Sequence, residues 1–242
     1  VMHGMDDEVN MRKYGALRKF MPITFATFGL GYLAILGVPP FAGFYSKDMI
    51  IETAFDAGGV KGIILGSVTL LGAGITAFYM TRVMILTFTG TKRWDENAHP
   101  HESPWLMWLP MAILAIGSVS SGFLLSRGDA LENWLHPLFA HSEEYKKHLL
   151  EPIVVSGLAL TMVAIGIAIA FVKYSRQDVP SVAPEDVSVF TKIVRQDLLQ
   201  DRFNETVFMR PGQVLTTTLV ATDDVVIDGT VRTVGKIAMG SG

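Results

Sequence analysis

Four stretches of this chain, Met21 to Ser46, Gly62 to Thr81, Pro104 to Ser126 and Pro152 to Val172, contain no Asp, Glu, Lys, Arg or His. A helix of about 20 apolar residues matches the ~30 Å hydrocarbon core of a bilayer. Helices in soluble cores rarely stay uncharged over that length, so the pattern predicts a membrane protein. The composition agrees, because half of the 242 residues are hydrophobic and only 18% are charged, a balance unusual for a soluble globular domain. With a net charge of −3 the chain has no basic stripe, and it shows no aromatic and arginine platform or zinc spacing of the kind that nucleic-acid binding uses. Without cysteine it holds no disulfide, thiolate metal site or cysteine-held iron–sulfur cluster.

The predicted fold is all-α: polytopic transmembrane helices, one of them discontinuous, followed by an amphipathic segment too polar to span. Residues 1–20 are mixed in charge (Asp6, Asp7, Glu8, Arg12, Lys13, Arg18, Lys19) and read as an aqueous loop. Residues 21–58 are too long for one upright helix and carry Pro39-Pro40 in the middle. Those prolines lack amide donors and clash with the preceding turn, which leaves the carbonyls near Ile35 and Leu36 unpaired at membrane depth. Lipid offers no donor, so such a break is tolerated beside protein or a hydrated cavity and points to a transport pathway; the plainer alternative is a kinked packing helix.

Further helices are expected at 61–90, with a small-residue face of Gly62, Gly66, Ala73 and Ala77, and at 104–126, opened by Ser103-Pro104 and flanked by Trp105 and Trp108 as an interfacial belt. An interfacial segment at 129–150 follows helical spacing through Leu131, Trp134, Leu135, Leu138 and Phe139. Asp129 and Glu132 are placed as a capping box there, Pro137 as a bend or stop, and Glu143 to His148 as a charged return to water. Another span covers 151–174. In the tail, 185–242, Val187, Phe190, Ile193, Val194, Leu198, Phe203 and Val207 outline an amphipathic helix expected to end at Pro211-Gly212.

Lys and Arg concentrate on one side of this topology (Arg12, Lys13, Arg18, Lys19, Lys92, Arg93, Lys173, Arg176), against Lys61, Arg127, Lys146 and Lys147 on the other. By the positive-inside rule the first side is cytoplasmic, or the matrix in a mitochondrion, and the tail lies there too. The chain opens at Val1 and ends on Gly240-Ser241-Gly242 without a closing element, and we expect a fragment truncated at both ends.

Lys47 is the residue best placed for chemistry, directly after the proline break in Phe41-Ala42-Gly43-Phe44-Tyr45-Ser46-Lys47-Asp48. A low-dielectric site disfavours the charged form of an ammonium, so a lysine there can load and release a proton. A neighbouring carboxylate such as Asp48 favours the charged form and would set the balance. The structural alternative is that Lys47 snorkels to the interface while Asp48 and Glu52 cap a helix near water. His3 could end a polar pathway but more simply is solvated. His99, His101 and Glu102 match no helical two-histidine metal site and read as a solvated loop. Asn204-Glu205-Thr206 matches a glycosylation pattern on the wrong side of the membrane, and no nucleotide-binding or nucleophile motif occurs.

Val1-Met2-His3-Gly4-Met5, Gly15-Ala16-Leu17-Arg18-Lys19, Pro39 to Asp48, His101-Glu102-Ser103-Pro104-Trp105 and Asp201 to Pro211 resemble the subunit L family of antiporter-like membrane-arm subunits of proton-pumping NADH:quinone oxidoreductase, respiratory complex I. The mitochondrial counterpart is NADH dehydrogenase subunit 5. The resemblance covers most of the chain. The Ser46-Lys47-Asp48 stretch is shared with related antiporter-like proteins, whereas the tail favours the subunit L family.

What the resemblance implies is a proton-translocating subunit of a bacterial plasma membrane or mitochondrial inner membrane. Lys47 would be a proton-transferring lysine on the discontinuous helix, with Asp48 beside it and Pro39 and Pro40 making the break. Asp201 and Arg210 would begin a long lateral helix bracing other antiporter-like subunits of a hetero-oligomer. No cofactor is implied on this chain; NADH, FMN, iron–sulfur clusters and quinone are expected on partner subunits. Where many relatives carry Asp-Glu after that lysine, this chain has Asp48-Met49, so no role for the glutamate carries over. The alternatives are a stand-alone sodium or potassium/proton antiporter, the membrane arm of a related hydrogenase, and a purely structural brace in which Lys47 does nothing.

Overall fold

The computed structural model describes residues 1–139, 149–175 and 179–240. The charged stretch Glu143 to His148 and Arg176 lie outside the described residues, as do the side chains of Asp129, Glu132, Phe139 and Phe190. Among the described residues the chain is helical with no strand, as the uncharged runs predict. It divides into two units, residues 1–182 and 183–242.

In the first unit, α1 spans Pro22–Leu36, α2 Ala42–Asp56, α3 Gly59–Phe88, α4 Trp105–Ser126, α5 Ala130–Phe139 and α6 Pro152–Ser175. Three of these, α3, α4 and α6, are long and apolar enough to cross a membrane. Their outward side chains are apolar and uncovered, as with Ile113, Leu114 and Ile116 on α4 and Ile75 on α3. Water would not tolerate such a surface over three long helices, whereas lipid does. The protein is therefore a multi-pass membrane protein. The run Met21 to Ser46 is not a fourth continuous helix, because α1 stops at Leu36 and α2 begins only at Ala42.

Small residues set the packing. A Cβ on Gly166 would stand 2.3 Å from the Gly74 carbonyl and 3.0 Å from Ala77 Cβ, and one on Gly66 would overlap the Phe55 ring. α3 and α6 thus lie backbone to backbone along Ala73, Gly74 and Ala77, while Phe55 of α2 fills the notch over Gly66. At such distances dispersion takes over the role that water release plays in soluble proteins. Ala42 and Tyr45 press equally closely on Gly122 of α4.

The stretch 1–20, expected as an aqueous loop, is folded against the helix ends together with Met21. Met5, Tyr14, Leu17 and Met21 form a buried cluster with Phe88 at the end of α3. Short turns joined by irregular backbone carry no helical or strand period, so pattern alone cannot find this core. Arg93 locks it in place. Its Nε donates to the Arg12 carbonyl at 3.0 Å and its guanidinium to the Leu86 carbonyl at 2.5 Å, one of the last-turn carbonyls that α3 leaves without an amide partner. Trp94 Nε1 adds a bond to the Gly15 carbonyl at 3.1 Å. Arg93 was expected only as one of the loop cations that set orientation, and partial burial lowers its pKa from the ordinary arginine value. At the rim, the Lys13 hydrogen bond holds the Glu8 carboxyl below its usual range.

α5 runs through Pro137 to Phe139 rather than ending at the proline. The second unit is also more helical than expected. After α7, Val189–Arg195, the left-handed residues Leu198 and Leu199 interrupt the predicted amphipathic helix. Helical backbone then continues from 200 to 240 through α8 (Gln200–Asn204), a wide turn at Glu205–Met209, α9 (Arg210–Thr222), a second wide turn at Asp223–Ile227 and α10 (Asp228–Gly240). The expected stop at Pro211-Gly212 does not occur. The wide turn makes the Arg210 amide bond Glu205, five residues back, which moves the preceding carbonyls away from the proline ring and puts Pro211 where a new helix segment starts.

The Arg93 bonds make a prediction. Arg93→Met removes donors from partly buried carbonyls and should cost on the order of 2–3 kcal/mol. Limited proteolysis of the full-length protein in detergent should then cut faster within residues 6–19, and an unchanged cleavage rate would show that Arg93 does not hold the loop.

Candidate functional site

α1 ends as the two prolines require. Gly37 takes the left-handed conformation (φ 75°), its amide bonds Ala34, and the Val38 amide reaches back to Leu33 at 3.2 Å. This is a glycine-capped helix end that pairs two of the last carbonyls. The amides that would have served Ile35 and Leu36 belong to residues 39 and 40, which are prolines. Lys47 supplies a donor in their place: its Nζ lies 3.3 Å from the Ile35 carbonyl.

The backbone is built for that contact. A Cβ on Gly43 would sit 1.8 Å from the Ala34 carbonyl, and one on Gly37 would sit 3.4 Å from Lys47 Cδ. Gly43 therefore lets the start of α2 come flush against the end of α1, and Gly37 serves through its left-handed backbone (φ 75°) rather than through lack of space; together they bring the second turn of α2 within a lysine's reach of Ile35. Lys47 bends back toward the break rather than out to the interface. Nor does Asp48 act as a helix cap, because Phe41 holds that position without a side-chain bond. Asp48 Oδ2 is buried with no hydrogen-bond partner, an exception to the rule that buried carboxylate oxygens are paired. A lysine that satisfies a freed carbonyl and an adjoining carboxylate with an unfilled acceptor make a charge-bearing pair at the break.

One turn before Ile35, Tyr32 meets Thr81 of α3 with their hydroxyl oxygens 2.9 Å apart. The Thr81 hydroxyl donates to the Ala77 carbonyl at 2.6 Å, so the proton between the two hydroxyls comes from Tyr32. Thr81 adjoins Arg82, whose Nε is buried and unpartnered. Sequence reading passed over these three residues. Tyr32 and Thr81 are uncharged, and Arg82 lies inside the helix expected at 61–90, six residues before the end of α3 at Phe88, with nothing in the local sequence to mark it out.

The remaining candidates scatter. Glu102, expected in a solvated loop, accepts from the amides of Ile23 (2.8 Å) and Thr24 (3.3 Å) and from the Thr24 hydroxyl, closing the start of α1 from 78 residues away. A carboxylate at a helix N-terminus satisfies orphan amides and meets the positive end of the helix dipole. His3 is exposed and stacks edge-on against His101 at 6.0 Å. Among the described residues no group of His, Cys, Asp and Glu gathers as a metal site. In the tail, Arg210 pairs with Glu205 at 3.2 Å and Asp201 lies in the first turn of α8, all on an exposed surface.

These features define a class: a polytopic helical membrane protein with a lysine seated at a proline break between two short helices. Over residues 1–75 the chain matches the family described as NADH:quinone oxidoreductase/Mrp antiporter, transmembrane. It is 55% identical over 237 residues to NADH-quinone oxidoreductase subunit L of Mycobacterium tuberculosis, which covers 98% of this chain and 37% of that protein. It is 35% identical over 274 residues to NAD(P)H-quinone oxidoreductase chain 5 of Picosynechococcus, covering 100% of this chain and 41% of that one. It is 41% identical over 160 residues to NADH-quinone oxidoreductase subunit L of Rhodobacter capsulatus, covering 59% and 22%. The chain spans about two fifths of the length of the first two of these relatives.

Gly43→Ala tests the junction. The new methyl meets backbone rather than a movable side chain, so overpacking should cost about 1–3 kcal/mol and lower the thermal midpoint of the detergent-solubilised protein. Wild-type stability in the Gly43→Ala protein would show that α1 and α2 do not meet as described.

Proposed function

We propose that this chain is part of a proton-translocating membrane-arm subunit of an NADH:quinone oxidoreductase, and that Lys47 carries a proton through a half-channel at the break. On this reading α1 and α2 are the two halves of one discontinuous membrane helix. The observation that carries it is the Lys47 bond to the Ile35 carbonyl, which couples the charge on one side chain to the only described donor for a carbonyl freed by Pro39.

When Lys47 is protonated, its ammonium makes a charge-assisted bond across the break and offsets Asp48. Once the proton leaves, the bond weakens to that of a neutral amine, and the junction loosens. Protonation and the fit of α1 against α2 are thereby linked, which is what a stepwise proton carrier needs. Electron transfer from NADH to quinone, with FMN and iron–sulfur clusters, belongs to partner subunits on this reading. The helical run 200–240 is the start of a lateral brace on the cytoplasmic or matrix side against neighbouring antiporter-like subunits, with Asp201 and Arg210 in its first turns. The relatives favour this over a stand-alone antiporter, because 98% of the chain, tail included, aligns with an oxidoreductase subunit.

In inverted vesicles carrying the assembled complex with Lys47→Met in the full-length subunit, NADH-driven proton uptake should fall on the order of tenfold or more, with quinone reduction slowed or intact. Uptake and quinone reduction both at wild-type rates, at normal assembly, would overturn the role of Lys47.

A further inference from the structure

The end of α6 meets the last third of α3 in a notch that the proposed proton carrier does not use. Phe78 and Arg82, one turn apart on α3, flank Tyr174 of α6. The Phe78 and Tyr174 ring centroids are 6.0 Å apart, and Arg82 Cζ stands 5.5 Å from the Tyr174 centroid. Lys173 Nζ lies 5.8 Å from the same centroid. Two cations thus converge on one aromatic ring. The ring face offsets part of their charge, yet the Arg82 Nε is buried without a hydrogen-bond partner, and among the described residues neither cation pairs with a carboxylate.

Depth and surroundings identify what would complete the notch. Arg82 stands six residues before the end of α3 and Tyr174 is the penultimate residue of α6. At 1.5 Å per residue both lie within about 10 Å of a helix end, at the border where headgroups meet hydrocarbon. On the mid-membrane side, Tyr79 and Ile75 follow one and two turns below Arg82, and Phe171 one turn below Tyr174. All three are open, at 44%, 63% and 54% exposure. An anion seated between Arg82 and Lys173 is therefore continuous with an apolar strip suited to acyl chains rather than to water.

We propose that Arg82, Lys173 and Tyr174 form a binding site for the phosphate headgroup of an anionic phospholipid, whose chains lie along Ile75, Tyr79 and Phe171. The guanidinium and ammonium hold the phosphate oxygens and Tyr174 keeps the two cations apart. Phosphate between basic side chains at a helix boundary gains charge-assisted bonds where the falling dielectric strengthens them.

The test uses the full-length subunit in its assembled complex, reconstituted in bilayers with phosphatidylglycerol bearing a photoreactive headgroup, and in parallel with phosphatidylcholine bearing the same group. Peptide mapping should place phosphatidylglycerol adducts at residues 171–174 and 78–82 in excess over phosphatidylcholine. The yield should drop roughly fivefold for each of Arg82→Gln and Lys173→Gln, while Arg82→Lys keeps it. Equal labelling by the two lipids, or labelling unchanged in the glutamine variants at normal assembly, would overturn the site. Displacement by millimolar inorganic phosphate would reassign it to a free anion, and protection by a cross-linked partner chain would reassign it to protein. If Arg82→Gln fails to assemble, the exposed Lys173→Gln variant and the wild-type lipid comparison still decide.

Discussion

Two carbonyls without amides, in a segment with no charge before Lys47, are the constraint from which the first unit is organised. Pro39 and Pro40 remove the donors that Ile35 and Leu36 would have used, and hydrocarbon cannot replace them. Lys47 answers one of the two at 3.3 Å. The contact needs the first turn of α2 pressed onto the last turn of α1, which in turn needs Gly43 bare of a Cβ and Gly37 in the left-handed conformation. α2 is then held from its other sides, by Gly122 of α4 against Ala42 and Tyr45 and by Gly62 and Gly66 of α3 beneath Phe55. The pattern of small residues around α2 is thus the support for one lysine's position.

The polar groups that do not serve the break sit mainly at one end of the helices. There the start of α1 takes its cap from Glu102, the end of α3 takes Arg93, and residues 1–21 fold over both with a core of their own. Fixing α1 against α3 at that end sets the register that brings Tyr32 opposite Thr81.

Much of this was legible in the sequence for a simple reason. Uncharged runs of membrane length, a Pro-Pro pair and a lone lysine just after it are each readable without knowing the fold, and counting four residues back from each proline names Ile35 and Leu36. What was not legible depends on contacts distant in sequence or on irregular backbone. Glu102 looked like a solvated loop residue because its partners lie 78 residues away. Arg82 was placed inside a helix, but its meeting with Tyr174 of α6 joins residues 92 positions apart. The core of residues 1–21 has no period to detect, and Pro211 looked like a helix stop because the wide turn that admits it leaves no mark in a hydrophobic pattern. The roles of Lys47 and Asp48 were read from their position after the proline break and again from the family resemblance, those of Asp201 and Arg210 from the resemblance alone, and all four stand as proposals. The geometry adds to them one contact, at Ile35, and one unfilled acceptor, on Asp48.

The most direct test of this account is the contact itself. Solid-state NMR dipolar recoupling between the side-chain nitrogen of lysine and the carbonyl carbon of isoleucine, in the full-length subunit within bilayers, would report it, with Lys47→Met assigning the signal. The account predicts a coupling at hydrogen-bond range that vanishes in the Lys47→Met protein and weakens as Lys47 loses its proton. A spectrum without that coupling at any pH would mean that Lys47 does not close the break, and the link between its charge and the helix junction would be lost with it.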